Sequence, residues 1–232
     1  MKAENVERHR SGRSGWLRAA VLGSDDAIVS TTSLMIGVAA SSASNEAVLI
    51  AGVAGLVAGA MSMAVGEYVS VSSQRDAEQA DIGVEKQELA AAPQAELQEL
   101  AKIYVKRGLE QDLALKVAEQ LSAHDRLGAH VRDELGFDES TLARPLQAAW
   151  ISAASFASFA AVPIVALLCS PVGLRIPVVA VVSLFSLAVL GAFGGYIGGA
   201  PLVRAALRVT LGGTFAMIVT ALIGRILGVS VS

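Results

Sequence analysis

The sequence predicts an all-α membrane protein in which five transmembrane helices carry an acidic, three-helix cytoplasmic domain inserted between the second and third. Three observations predict it. Apolar residues make up 53% of the 232 positions and the mean hydropathy is +0.56. That exceeds the ~45–50% apolar content of soluble domains, and the excess needs an apolar solvent. Five stretches approach the ~20 mainly apolar residues that a helix needs to cross a hydrocarbon core. Charge is also segregated: 15 Asp/Glu and 9 Lys/Arg stand between Gln74 and Arg144, a net −6, although the whole chain carries only −3.

The expected spans are residues 19–41, 47–70, 147–169, 176–198 and 202–228, so the chain divides into 1–70, 71–146 and 147–232. The first two are joined by the short polar loop Ser41 to Glu46, which makes them an antiparallel hairpin. Pro171 with Gly173, and then Gly198, Gly199 and Pro201, mark the later breaks. Within 71–146 the period is helical: Leu97, Leu100, Ala101 and Tyr104 share one face, as do Leu113, Val117 and Leu121. Pro93 starts a new helix, and Gly108 and Gly136 supply stops. The first helix of the insertion is expected to run straight on from the second span.

Lys and Arg near membrane ends stay on the cytoplasmic side. Lys2, Arg8, Arg10, Arg13 and Arg18 precede the first span, and Arg204 with Arg208 begin the fifth. The amino terminus and the acidic domain are therefore expected in the cytoplasm and the carboxyl terminus outside. The apolar segment after Arg18 lacks a convincing cleavage pattern and reads as a retained helix. Cys169 is the only cysteine, which removes internal disulfides and multi-thiolate metal sites and leaves oxygen and imidazole as ligands.

Asp25 and Asp26 in the first span and Glu67 in the second stand where a carboxylate costs at least ~2.5–3.5 kcal/mol. Gly23, Asp26, Ser30, Ser33 and Gly37 share one side of the first helix, while Asp25 points about 100° away. On the second, Gly52, Gly55, Gly59, Ser62 and Gly66 form a small-residue stripe, with Met63 and Glu67 four apart beside it. Asp26 and Glu67 are equally far from Arg18 and Arg75, so an antiparallel hairpin brings them to a similar depth. Asp26, Glu67 and Met63 thus form a candidate transport pathway, in which oxygen ligands hold a divalent cation and the thioether favours a transition metal. A carboxylate that holds either a proton or a cation makes proton exchange chemically natural.

In the insertion, Glu78, Asp81, Glu85 and Glu88 are spaced three, four and three apart, which gathers four carboxylates on one helix face. Like charges at this spacing destabilise a helix by about 0.2–0.5 kcal/mol per pair, so a compensating cation is expected. Beyond Pro93, Glu96 and Glu99 repeat the pair, and His130 with Glu134 stand at i, i+4 on the third helix. A bend at Pro93 brings the glutamate pairs together. The candidate metal ligands are Glu85, Glu88, Glu96, Glu99, His130 and Glu134, with Glu78 and Asp81 as further candidates. Such ligands suit iron(II), manganese(II) or calcium, and a histidine tilts the choice towards transition metals.

The stretches GSDDAIVSTTSLMIGVA (23–39) and AGAMSMAVGEYVSVSSQRDAE (58–78) closely resemble the vacuolar iron transporter family, in particular its bacterial and nodulin-like branch. The resemblance covers nearly the whole chain. It implies a homodimer with a cation path near the subunit interface and export of Fe2+ or Mn2+ from the cytoplasm by proton exchange. The cation is then substrate and bound ligand, with no prosthetic group, and a bacterial inner membrane is the expected location. Asp26 and Met63 match the family's first-span aspartate and second-span methionine. Glu85, Glu88, Glu96, Glu99 and Glu134 match the glutamates of its metal-binding domain. Gly55 replaces an acidic residue of the plant iron transporters, Glu67 replaces a glycine, and His130 with Val131 replace a methionine pair, so ion preference is expected to differ.

An alternative is a membrane-anchored metal sensor or storage adaptor, against which intramembrane Asp26 and Glu67 argue. No nucleophile triad, phosphate loop or histidine-rich di-metal motif supports an enzyme. An acidic domain repels phosphate, so nucleic acid is not an expected partner. Metal ions, protons and membrane lipid are.

Overall fold

The computed structural model describes residues 14–137 and 142–231, and among these every regular element is helical. In order they are α1 (Ser14–Ala40), α2 (Asn45–Ala91), α3 (Pro93–Lys106), α4 (Gln111–His130) with a π turn (Val131–Leu135), α5 (Pro145–Cys169), α6 (Arg175–Gly198) and α7 (Leu202–Val231). The basic stretch Met1 to Arg13 lies outside the described residues. Among the described residues, four helical segments are long and apolar enough to cross a membrane: α2, α5, α6 with the turn before it, and α7. The two aspartates of α1 and its hydroxyls, four of them in the run Ser30–Ser33, lower its hydropathy, and it is not among the four. The chain divides into two compact units, one of residues 1–67 and 147–232, the other of residues 68–146, and α2 contributes to both.

In the first unit, small residues set how closely helices approach. A Cβ on Gly37 would lie 3.2 Å from the Thr220 carbonyl oxygen, one on Gly224 would collide with the Gly37 carbonyl, and one on Gly228 would come within 2.7 Å of Ser41 Cα. Positions rise together along both helices, so α1 and α7 run parallel with backbones in contact. Gly191 and Gly195 admit Ala205 and Ala206 in the same way, which packs α6 antiparallel to α7. Thr32 and Ser183 share a fully buried hydrogen bond of 2.8 Å between α1 and α6, satisfying two hydroxyls that apolar surroundings would penalise. By contrast α2 and α5 engage through side chains: Met35 and Ile164 fill the space over Gly52, and the Phe156 ring covers Gly59. At the polar turn, Ser42 takes the left-handed conformation (φ 64°) and the Ser44 hydroxyl accepts the Ala47 N–H, capping α2.

Gly224→Val is expected to destabilise the protein by about 1–3 kcal/mol through overpacking against Gly37. The check is the unfolding midpoint in detergent, with Gly212→Val on the open face of the same helix leaving it unchanged.

The second unit is built from the end of α2 with α3 and α4. Its core is Leu100, Ala101, Tyr104, Ala114, Ala118 and Ala129, the alanines letting α3 and α4 lie close. Pro93 opens α3, where its missing N–H costs nothing. Gly108 (φ 102°) ends the α3 turn and Gly136 (φ 80°) closes the π turn, both in conformations that favour glycine.

Candidate metal centre and intramembrane cavity

The centre in the second unit starts from which face of α2 is buried. Ile82, Glu85 and Leu89 face inward, whereas Asp81 and Glu88 are exposed. A three-four-three spacing spans an arc about 80° wide, and of its four carboxylates only Glu85 is buried. Glu78 has other work: it accepts hydrogen bonds from Gln74 Nε2 (2.7 Å) and from the Ala143 backbone N–H (3.1 Å). Across the Pro93 bend Glu96 is buried and Glu99 exposed. The structure therefore selects one glutamate from each expected pair.

Glu85, Glu96, His130 and Glu134 each offer a ligand atom within 4.8 Å of the others. His130 is fully buried, with Nδ1 2.9 Å from Glu85 Oε1 and 3.0 Å from Glu134 Oε2. The hydrogen bond joins Nδ1 to Glu134. Glu85 Oε1 is a buried carboxylate oxygen with no hydrogen bond. Burial, then the nearby Glu134 charge, pushes the Glu85 carboxyl above its usual range despite His130. Burial raises Glu96 as well, followed by the charges of Glu99 and Glu88. Glu88 and Glu99 thus bear on the centre through their charge while standing outside the four-ligand cluster. Three carboxylates and an imidazole crowded together without a counter-charge form the donor set that a divalent cation satisfies.

Two features that position His130 and Glu134 carried no sequence signal. Asp125 breaks α4 with extended backbone (φ −154°, ψ 91°) and its Oδ1 accepts the Gly128 N–H at 3.0 Å, an N-cap that starts a second helical segment. Asp133, in the π turn, accepts from Tyr104 Oη (2.7 Å) and Arg107 Nη1 (2.5 Å), tying that turn to α3. Burial would push Asp133 up, but these two hydrogen bonds outweigh it and hold the carboxyl below its usual range, while burial and then the Asp133 contact push Tyr104 up to about 12. A depressed folded value means stability present at neutral pH and lost as pH falls through that value. Asp133→Asn is accordingly expected to cost about 1–3 kcal/mol, the range for charge-assisted hydrogen bonds. Unfolding midpoints at neutral and acid pH check it, since the gap between variant and parent must close on acidification.

In the first unit, Asp26 and Met63 line one cavity of about 250 Å³ together with Ser30, Gly55, Ser62 and Phe156. Met63 Cε lies 3.7 Å from where a Cβ on Gly23 would stand, so the thioether reaches the aspartate's helix one turn before Asp26. Glu67 is partly buried and not among the cavity's lining residues. It lies four residues from Met63, about 6 Å further along α2. Asp25, on another side of α1, has a buried Oδ1 with no hydrogen bond.

Membrane-length apolar helices joined to a unit that converges three carboxylates and an imidazole define an integral membrane protein with a candidate cation centre. The chain belongs to the VIT family, whose pattern matches residues 17–225. It is 46% identical over 227 residues to a "Vacuolar iron transporter" of Acanthamoeba castellanii, covering 94% of this chain and 82% of the relative. It is 38% identical to "Vacuolar iron transporter homolog 2" of Oryza sativa subsp. japonica, covering 92% of each. A third relative, "VIT-like transporter 1b" of Glycine max, is 36% identical over 94% of this chain and 79% of its own length. These are names of transporters, not of enzymes.

Proposed function

We propose that the protein moves Fe2+, and Mn2+ with it, out of the cytoplasm in exchange for protons, through a path near the interface of a homodimer. The observation that carries transport rather than binding alone is the cavity in the apolar unit lined by both Asp26 and Met63. A carboxylate and a thioether there offer a cation a stepping point where lipid offers none. The names of the relatives support iron as cargo.

In this reading α1 is a fifth span. Its parallel packing on α7 agrees, since first and fifth spans must run in the same direction. The unit of residues 68–146 is then a cytoplasmic metal-binding domain inserted between the second and third spans, in which Glu85, Glu96, His130 and Glu134 collect the ion. Arg204 and Arg208 at the start of α7 mark the cytoplasmic side. In this reading the membrane is a bacterial inner membrane.

The test is uptake of Fe2+, Mn2+ and Zn2+ by sealed proteoliposomes, with and without a pH gradient. Metal-dependent uptake that a gradient accelerates is expected. Binding to the purified protein with no flux would instead leave a sensor or storage adaptor.

A further inference from the structure

The face of His130 away from the carboxylates has no role in the centre described above. The imidazole also lines a separate cavity of about 180 Å³, whose polar lining residues are Gln94, Glu119, Ser122 and Arg126. Two buried polar atoms of these lining residues lack partners, His130 Nε2 and Ser122 Oγ, and the His130 side chain is 0% exposed. Buried polar atoms are nearly always satisfied, so an orphaned ring nitrogen and an orphaned hydroxyl on residues lining one cavity require a reason. Glu119, Ser122, Arg126 and His130 are spaced three, four and four along α4. The sequence thus sets one polar stripe against one cavity, across the break at Asp125.

The chemistry of an imidazole ligand supplies the reason. Nδ1 is the nitrogen that meets Glu134, at 3.0 Å. A cation taken up by Glu85, Glu96 and Glu134 binds His130 through Nδ1, the nitrogen that faces them, and needs that atom's lone pair. The ring proton then belongs on Nε2, which must donate to something. Arg126 cannot accept, whereas the Ser122 hydroxyl, the Glu119 carboxylate and the Gln94 carbonyl can. The cavity is roomy and polar enough for bridging water.

We propose that Ser122 and Glu119 are positioning residues for the metal ligand, accepting the His130 Nε2 proton through water in this cavity whenever a divalent cation occupies Nδ1. The arrangement is the outer-shell partner that a metal-bound histidine ordinarily has. The inference rests on the reading of Glu85, Glu96, His130 and Glu134 as a metal centre.

The experiment is Zn2+ and Mn2+ titration of the full chain in detergent, for the parent, Ser122→Ala, Glu119→Gln and the double variant. Affinity in the double variant should fall ~10–100-fold, the loss typical of removing an outer-shell partner. The metal-free unfolding midpoint should stay put, and Ser122→Thr, which keeps the hydroxyl, should restore binding in the single variant. Imidazole ¹⁵N shifts of the Zn2+ form should show Nδ1 bound to metal and Nε2 protonated. Parental affinity in the double variant, a metal-bound Nε2, or a second Zn2+ per chain that Glu119→Gln removes would each overturn the proposal. His130→Ala separates the two levels: undiminished metal binding there would remove the centre itself, and the proposal with it.

Discussion

Asp26→Asn is expected to cut metal flux into proteoliposomes by at least ~30-fold: the Asp26 carboxylate is exposed on the cavity, and in the proposed pathway lipid shields the ion there from water, where losing a charged partner costs about 2–5 kcal/mol. The substitution keeps size and hydrogen-bonding capacity and removes only the charge that can neutralise a cation or carry a proton. Its effect should therefore be confined to the ion, with the unfolding midpoint and any metal affinity of the Glu85, Glu96, His130 and Glu134 cluster unchanged. Met63→Leu, which fills the same space without sulfur, should lower flux less and shift preference away from Fe2+ towards Mn2+, since the thioether is the only soft donor in that lining. Glu67→Gln should have the smaller effect of the two acids, because the cavity's lining holds Asp26 and not Glu67. Parental flux in Asp26→Asn would remove this cavity from the pathway.

That ranking of Asp26 over Glu67 was not legible in the sequence, and the reason is instructive. Distance from flanking arginines fixes depth along a helix, which is a one-dimensional coordinate, whereas membership of a cavity depends on rotation about it. Rotation was readable only where composition marked it, as in the Gly52, Gly55 and Gly59 stripe that Met35, Leu34 and Phe156 fill. Proline and glycine punctuation was legible. Pro93 opens α3, while Gly108, Gly136 and Gly199 adopt the positive φ values at which helices stop. These residues act through their own backbone and need no tertiary context.

The four-residue cluster was half legible. The glutamate pairs flanking Pro93 and the His130, Glu134 pair pointed to the segments that meet in it, but spacing alone does not separate Glu85 from Glu88 or Glu96 from Glu99. Burial does, through apolar neighbours such as Ile82 and Leu89 on α2 and Leu100 on α3. The Asp125 break was invisible because an aspartate in an amphipathic helix leaves the hydrophobic period intact. Its capping of Gly128 is a local choice made only when the chain is already turning. Asp133 was one charge among many until Tyr104 and Arg107, 29 and 26 residues away, met it.

Glu85→Gln should act in opposite directions on stability and on metal binding, and that opposition identifies a binding residue. The Glu85 carboxyl is buried, lacks a hydrogen bond at Oε1, and has a folded-state pKa raised chiefly by desolvation. A raised value for an acid means that the folded state binds the proton more tightly than the unfolded chain. Stability is then greatest below the ordinary glutamate range and is lost as pH rises through the raised values of Glu85 and Glu96. A glutamine mimics the protonated form at every pH. In metal-free protein the variant should have a higher unfolding midpoint at neutral pH, and its midpoint should fall less steeply as pH rises. A cation at 100 times its dissociation constant adds about 2.7 kcal/mol to the parent, and most of that gain should vanish in Glu85→Gln because one anionic ligand is gone. Glu88→Gln, on the exposed side of the same helix, should change both quantities little. A Glu85→Gln protein less stable without metal yet still fully stabilised by Mn2+ or Zn2+ would mean that this carboxylate is structural, and that the crowding around His130 serves the fold rather than an ion.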